Sequence, residues 1–301
     1  MKVVRDPIDL PRSTRAVAIG SFDGVHLGHR RVLDTAFETG LPVAVLTFDP
    51  HPRVLLGQPV ELLTTLERKV ELLAEYGVEE IVVLRFDHEL SGMTPEQFKL
   101  RYLDPLGAQI VVAGPDFHFG HDRSGDLELL HDEGLLTRLV EPVVGVSSTT
   151  IRNALHEGDV VGAAPLLGRP FELDGRVVPG FARGARLGFP TANLVFAPHQ
   201  LVPRDGIYAG FVEGHRAAVS IGVNVHFRGA ERRIEVHLID FSADLYGKRL
   251  VVELWQRLRD EQVFESDEAL AEQIARDVQA AREAERPEQH LGDVPQEVVN
   301  G

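Results

Sequence analysis

Ala16-Val17-Ala18-Ile19-Gly20-Ser21-Phe22-Asp23-Gly24-Val25-His26-Leu27-Gly28-His29 decides the fold of the amino-terminal half. A short apolar run ends in glycine, and a glycine-rich loop follows. Val32, Leu33 and Ala36 then recur at helical spacing over residues 29–39. The next apolar run, 43–48, reads as a second buried strand. Two buried strands joined by a helix predict a βαβ unit with a right-handed crossover and a parallel sheet. The pattern repeats with a helix over 66–76, a strand over 80–84, a helix over 95–102 and a strand over 109–113. Residues 1–160 are therefore expected to form a doubly wound α/β domain of Rossmann-like type.

The texture changes further along. Glycine and proline punctuate short alternating runs, among them Gly206-Ile-Tyr-Ala-Gly-Phe-Val and Arg233-Ile-Glu-Val-His-Leu-Ile. Frequent turns between short strands predict a small antiparallel barrel or sandwich over 168–285. The boundary is placed near 155–168. A closing helix is expected after Ser266, a good N-cap, with Asp267 and Glu268 suiting the positive helix start. Leu270, Ile274, Val278 and Ala281 share one face of it. Residues 286–301 are polar and proline-interrupted, and are expected to be a mobile tail.

Composition narrows the function. With 301 residues, about two domains are expected. A formal charge of −15 is the wrong sign for a protein that coats nucleic acid. There is no cysteine, which excludes disulfides, thiolate nucleophiles, Fe–S clusters and Cys-based zinc sites. No signal peptide and no apolar run of spanning length is visible, so a soluble cytoplasmic protein with no membrane partner is expected.

In the loop 20–29, glycines let the backbone approach a ligand closely, and the following helix start is a natural anion seat. His26 and His29 point the same way if the turn between them is helical. From spacing alone two readings stand equally: donors to a polyphosphate, or zinc ligands completed by Asp23 or His51. A P-loop is excluded, because no G-x-x-x-x-G-K-[ST] occurs.

The whole string resembles the HxGH signature of nucleotidyltransferases, in the form carried by prokaryotic bifunctional riboflavin kinase/FMN adenylyltransferases (FAD synthetases). The resemblance continues through Thr47-Phe-Asp-Pro-His-Pro52, Gly114-Pro-Asp-Phe-His-Phe-Gly120 with Gly125-Asp126, and Ser147-Ser-Thr-Thr-Ile-Arg152. It implies that Gly20, Phe22, Asp23, Gly24, Gly28, Ser147, Ser148, Thr149 and Arg152 bind ATP. His51, Asp116 and Phe117 would meet flavin, while His26 and His29 would act in catalysis. The FMN phosphate that attacks ATP is already ionised, so no general base is required. Positioning and charge stabilisation suffice.

Gly180-Phe-Ala-Arg-Gly-Ala-Arg-Leu-Gly-Phe-Pro-Thr-Ala-Asn193 resembles the riboflavin kinase signature of the same family. On its own it reads as a glycine-rich hairpin. The resemblance implies that Gly180, Gly184 and Gly188 form a flap over nucleotide phosphates. Thr191 and Asn193 would offer neutral oxygens to Mg²⁺. A riboflavin hydroxyl is a weak nucleophile and needs a base, and family position points to Glu235. Alternation sets Glu235 on the face opposite Ile234, Val236 and Leu238. Pro203-Arg-Asp-Gly-Ile-Tyr208 and Leu245-Tyr-Gly-Lys248 match turn-bearing landmarks. Leu258-Arg-Asp-Glu-Gln-Val-Phe264 resembles the segment that closes over flavin, with Arg259 as the contact, and Trp255 reads as core.

The chain departs from the family in three places: Asn224-Val-His-Phe227 stands for N-P-T-F, Pro179 for a histidine before the flap, and the stretch between Asp126 and Ser147 is short. The expectation is a bifunctional enzyme using ATP and Mg²⁺ on riboflavin and FMN, with FAD as product. Its rivals are an enzyme with one activity, a flavin-binding sensor and a zinc hydrolase.

Overall fold

A computed structural model describes residues 1–57, 59–180, 183–223 and 232–287. Contacts divide the chain into two compact units, 1–60 with 66–146, and 61–65 with 147–301.

The first unit is built on a six-stranded sheet. Its strands are β1 (Lys2–Val4), β2 (Arg15–Ile19), β3 (Val43–Asp49), β4 (Glu80–Arg85), β5 (Ala108–Ala113) and β6 (Leu136–Leu139). Their order is β1-β4-β3-β2-β5-β6, and every pairing is parallel. The central strands bury both faces, as a sheet covered by helices on each side must. Ala16, Ala18, Val43, Val45, Ile81 and Val83 pack with Val32, Leu33, Ala36, Leu72 and Leu73 on one side. Val17, Ile19, Ala44, Leu46, Val82 and Leu84 pack with Phe98, Leu103 and Leu106 on the other. This is the doubly wound fold expected. Strand order reverses at β2, and ligands of such sheets bind beyond the carboxyl ends of the strands at that reversal. The edge strands β1 and β6 are not expected from the sequence. Both are short and partly exposed, so neither shows a buried apolar run.

The second unit is a closed barrel. Its strands are β7 (Phe171–Val178), β8 (Ala192–Phe196), β9 (Gly206–Val212), β10 (His215–Val223), β11 (Arg232–Leu238) and β12 (Arg249–Arg259). The order is β10-β11-β8-β7-β12-β9, antiparallel throughout. Leu173, Val177, Leu194, Val219, Ile221, Ile234, Val236, Leu250 and Val252 fill its interior. Between barrel and sandwich, the two forms that alternation left open, closure settles the matter.

Helices Ser148–His156 and Val160–Leu167 belong to this unit, although the sequence boundary falls at 155–168. The reason is burial: Ile151, Leu155, Val160, Ala163 and Leu167 join the same apolar cluster as the barrel. Leu63 joins it too, and Leu62 exchanges backbone hydrogen bonds with His199 and Leu201. Helix Asp267–Glu283 starts at Ser266, whose Oγ accepts the Ala269 N–H at 3.2 Å. Of its expected apolar face only Ala281 is fully buried; Asp277, buried one turn before it, receives Arg259 of β12. The expected tail and residues 224–227 lie largely or wholly outside the described residues.

Candidate active sites

The loop after β2 opens at the carboxyl edge of the sheet, where the strand order reverses. Phe22, Gly24 and Val25 have φ of 49°, 86° and 41°. Positive φ is strained for phenylalanine and more so for a β-branched valine, and such strain concentrates at functional loops. The three glycines answer different needs. Gly24 supplies positive φ, while a Cβ at Gly20 would stand 3.3 Å from the Phe22 ring and one at Gly28 3.1 Å from the His26 ring.

His26 caps helix Leu27–Phe37: its Nδ1 accepts the His29 N–H at 3.3 Å. The His26 and His29 rings stack at 3.7 Å, and Phe22 lies tilted against His29 at 5.2 Å. Because Nδ1 of His26 accepts a hydrogen bond, the proton of its neutral ring sits on Nε2. Nδ1 of His29 is buried without a hydrogen-bond partner. Burial first, then the proximity of His26 and Lys69, hold His29 well below the usual histidine pKa. Asp23 is buried, and so is Lys69, which donates to the Ser21 carbonyl at 2.8 Å. Thr47 donates to the same carbonyl at 3.1 Å.

The loops after β3 and β5 open on the same edge of the sheet. His51 caps the short helix Pro52–Leu55, accepting the Arg53 N–H at 3.2 Å. Asp116 is exposed, and its carbonyl accepts from Arg123 at 3.1 Å. Phe117 stacks on Phe119 at 5.4 Å. Gly125 makes reciprocal 2.9 Å backbone bonds with Phe119, and Asp126 caps the next helix. These are loop-shaping roles.

Ser147 belongs to the second unit. It caps helix Ser148–His156 through its Oγ, which accepts the Thr150 N–H at 3.0 Å. Thr149 is exposed at the helix start, Ser148 is half-buried beside it, and Arg152 donates from Nε to the Glu61 carbonyl at 2.6 Å.

On the barrel, Asn193 of β8 and Glu235 of β11 are register partners. Glu235 also pairs with Ser220, and Asn193 with Val178, so the four form one row across β10-β11-β8-β7. Their neighbours Ile234, Val236, Ala192 and Leu194 point into the core, which turns Glu235 and Asn193 outward. A Cβ at Gly180 would overlap the Asn193 amide, and one at Gly184 would overlap the Phe189 carbonyl. Gly188 adopts φ of 88°, and Phe189 N–H returns to Gly184 at 2.8 Å. This folded-back turn delivers Thr191, half-buried, to the start of β8. His237, two residues along the outer face from Glu235, donates from Nδ1 to the Pro190 carbonyl at 2.8 Å. Its ring meets Phe189 edge-on at 5.6 Å.

Arg259 forks onto Asp277, with Nε at 2.8 Å and the second amine at 2.6 Å, while its third nitrogen donates to the Asp260 carbonyl at 2.8 Å. The visible task of Arg259 is thus to hold the carboxyl-terminal helix. Trp255 is buried, stacked on Phe211 at 5.4 Å. An open cleft of about 630 Å³ lies beside β12, lined among others by Asp205, Arg232, Asp260 and Glu261. Burial, then Asp205 and Glu235, raise the Glu261 pKa.

Two family models divide this chain between them: FAD synthetase over residues 10–150 and riboflavin kinase over 167–285. The bifunctional riboflavin kinase/FMN adenylyltransferase of Bacillus subtilis is 37% identical over 286 residues, covering 88% of this chain and 90% of that protein. The chain belongs to the bifunctional riboflavin kinase/FMN adenylyltransferase family. The family member of Escherichia coli K12 is 37% identical over 306 residues, covering 94% of this chain and 97% of its own. A crystal structure described as a macrolide-efflux protein from Streptococcus pneumoniae aligns with a TM-score of 0.84 at 33% identity. It covers 94% of this chain and 99% of its own. No helix among the residues described here is long and apolar enough to cross a membrane.

Within this family frame, the sequence reading misses two residues that the structure brings to the sites. Lys69 stands on the core-facing stripe of helix Leu66–Glu75, among Leu66, Val70 and Leu73. A lysine in an apolar stripe is the signal that marks it. His237 sits in alternation with Glu235, and its contact with Pro190 depends on a turn whose course is not legible from spacing. The zinc reading finds no support in placement: among the described residues no three His, Asp or Glu side chains are grouped to hold a metal.

Proposed function

We propose that this chain carries out two consecutive ATP-dependent steps, phosphorylating riboflavin to FMN on the barrel and adenylating FMN to FAD on the parallel-sheet unit. The observation that carries the reading is the match to both family models along one chain, together with a built site in each unit.

In the kinase step the riboflavin hydroxyl loses its proton to Glu235 as its oxygen bonds to the γ-phosphorus and ADP departs. Glu235 fits the task because it is fixed on a strand, turned outward, and flanked by the neutral amide of Asn193. The glycine turn over Asn193 brings backbone N–H groups to nucleotide phosphates. Oxygens of Thr191 and Asn193 suit a hard divalent cation, and the space above Gly180 that a Cβ would fill is taken by the Asn193 amide. Mg²⁺ held there would neutralise phosphate charge.

In the adenylyl step a phosphate oxygen of FMN attacks the α-phosphorus of ATP, and pyrophosphate leaves. His26 donates from Nε2, His29 stacked on it at 3.7 Å is the second catalytic ring, and the start of helix Leu27–Phe37 adds N–H groups and positive dipole. Gly20, Phe22, Asp23, Gly24 and Gly28 shape that seat. Ser147, Ser148, Thr149 and Arg152, at the start of helix Ser148–His156, are assigned to ATP phosphates by the family motif they carry. His51, Asp116 and Phe117 are assigned to the flavin side of the adenylyl step. Arg259 serves flavin in the kinase step by holding the segment before the last helix. The enzyme works in the cytoplasm, where ATP and free flavins are found.

The test is chromatographic. Pure protein given riboflavin, ATP and Mg²⁺ yields transient FMN followed by FAD. Flavin that binds and never changes would reject the reading.

A further inference from the structure

We propose that Lys69 is the fixed positive charge of the adenylyl-transfer site, a positioning residue that holds the Gly20–Gly28 loop through Ser21 and sets its affinity for polyphosphate. The inference rests on the adenylyl-transfer reading above.

Both histidines of the loop are poor sources of charge. Nδ1 of His26 accepts a backbone N–H, which is incompatible with a doubly protonated ring. His29 is kept neutral by burial first, and then by its neighbours His26 and Lys69. A triphosphate seated beyond them therefore meets dipoles, not imidazolium ions. Lys69 is 6% exposed, and its Nζ donates at 2.8 Å to the carbonyl of Ser21, the residue that opens the strained stretch Phe22–Val25. Burying an ammonium group is costly, and a leucine would satisfy the stripe it occupies. The groups that face it are Asp23, Asp49 and His29. Burial lowers its pKa below that of an exposed lysine, and the two carboxylates offset part of that by favouring the charged form.

Three variants separate charge from hydrogen bond. Lys69→Gln keeps an amide donor for Ser21 and loses the charge. Lys69→Met keeps the stem and loses both, and Lys69→Arg keeps the charge. Each is assayed with FMN as flavin, so that the kinase step is idle, and in reverse with FAD and pyrophosphate. Lys69→Gln should raise the KM for ATP and for pyrophosphate about tenfold, as loss of one unit charge near a polyphosphate predicts. Lys69→Met should raise both at least as far, and Lys69→Arg should recover part of the loss. The wild-type FMN-to-FAD rate should also fall at alkaline pH as Lys69 deprotonates, and Lys69→Gln should lack that limb. Folding is followed by thermal unfolding and by the kinase rate on riboflavin.

A Lys69→Gln enzyme with wild-type KM values and a wild-type alkaline limb overturns the inference and leaves the adenylyl reading intact. Wild-type protein that makes FMN but no FAD overturns both. Should Lys69→Gln unfold the first unit, the wild-type profile decides: a rate that does not fall up to about pH 10, where an ordinary lysine deprotonates, overturns the inference.

Discussion

Asn193 and Glu235 face each other across β8 and β11, on the outside of a closed barrel. Directly opposed side chains on adjacent strands lie about 5 Å apart, close enough for a cation ligand and a base to act on one phosphoryl group. Glu235→Gln keeps the shape and removes the base, and should lower the riboflavin kinase kcat by about 10²–10⁴-fold. Asn193→Asp sets two carboxylates across one pair. It should raise the Mg²⁺ concentration dependence of the kinase and lower barrel stability by up to about 1 kcal/mol, read by thermal unfolding.

His237 holds the turn that carries Thr191. Its replacement by alanine removes one hydrogen bond, worth about 1 kcal/mol, and should raise the kinase KM for ATP about fivefold. His237→Asn, which retains an amide donor, should recover part of the loss. FMN-to-FAD conversion should be unchanged in both.

Arg259 and Asp277 make a two-pronged ion pair that is largely sealed from water. Breaking one partner leaves the other charge buried, at a cost of about 3 kcal/mol. Arg259→Met and Asp277→Asn should therefore lower the unfolding temperature of the barrel alike, and raise the KM for riboflavin in parallel. A riboflavin effect in Arg259→Met that Asp277→Asn does not share would mark direct contact with flavin.

His29 has a folded-state pKa depressed below its ordinary value of about 6.5. Above that pH both folded and unfolded chains hold a neutral ring, and the site costs nothing. As pH falls below about 6.5 the unfolded chain takes up a proton that the folded chain refuses, so stability declines. Urea unfolding of the first unit between pH 5 and 8 should show that slope, and His29→Asn should flatten it.

Periodicity made most of the fold legible. Short apolar runs such as 16–19 and 43–48, too short for helices and rich in valine, read as central strands of a covered sheet, and alternation in 233–239 separates core from outer face. Strands β1 and β6 escape because an edge strand needs neither pattern. Helices Ser148–His156 and Val160–Leu167 look like the end of the α/β half because nothing local says which core their apolar face joins. At the sites, glycine spacing located both loops. Yet a Cβ at Gly20 or Gly28 would press on the Phe22 or His26 ring, where the sequence suggests only close approach to a ligand. The fork of Arg259 onto Asp277 and the bond from Lys69 to Ser21 join residues far apart in sequence, which spacing does not encode.

Two separable sites on one chain are the centre of this account. The most direct test separates riboflavin, FMN and FAD after incubation of Glu235→Ala and His29→Ala proteins with ATP, Mg²⁺ and either riboflavin or FMN. Glu235→Ala should leave riboflavin untouched yet convert FMN to FAD at the wild-type rate. His29→Ala should accumulate FMN from riboflavin and form little FAD. A folded variant in which one substitution silences both conversions would contradict the account.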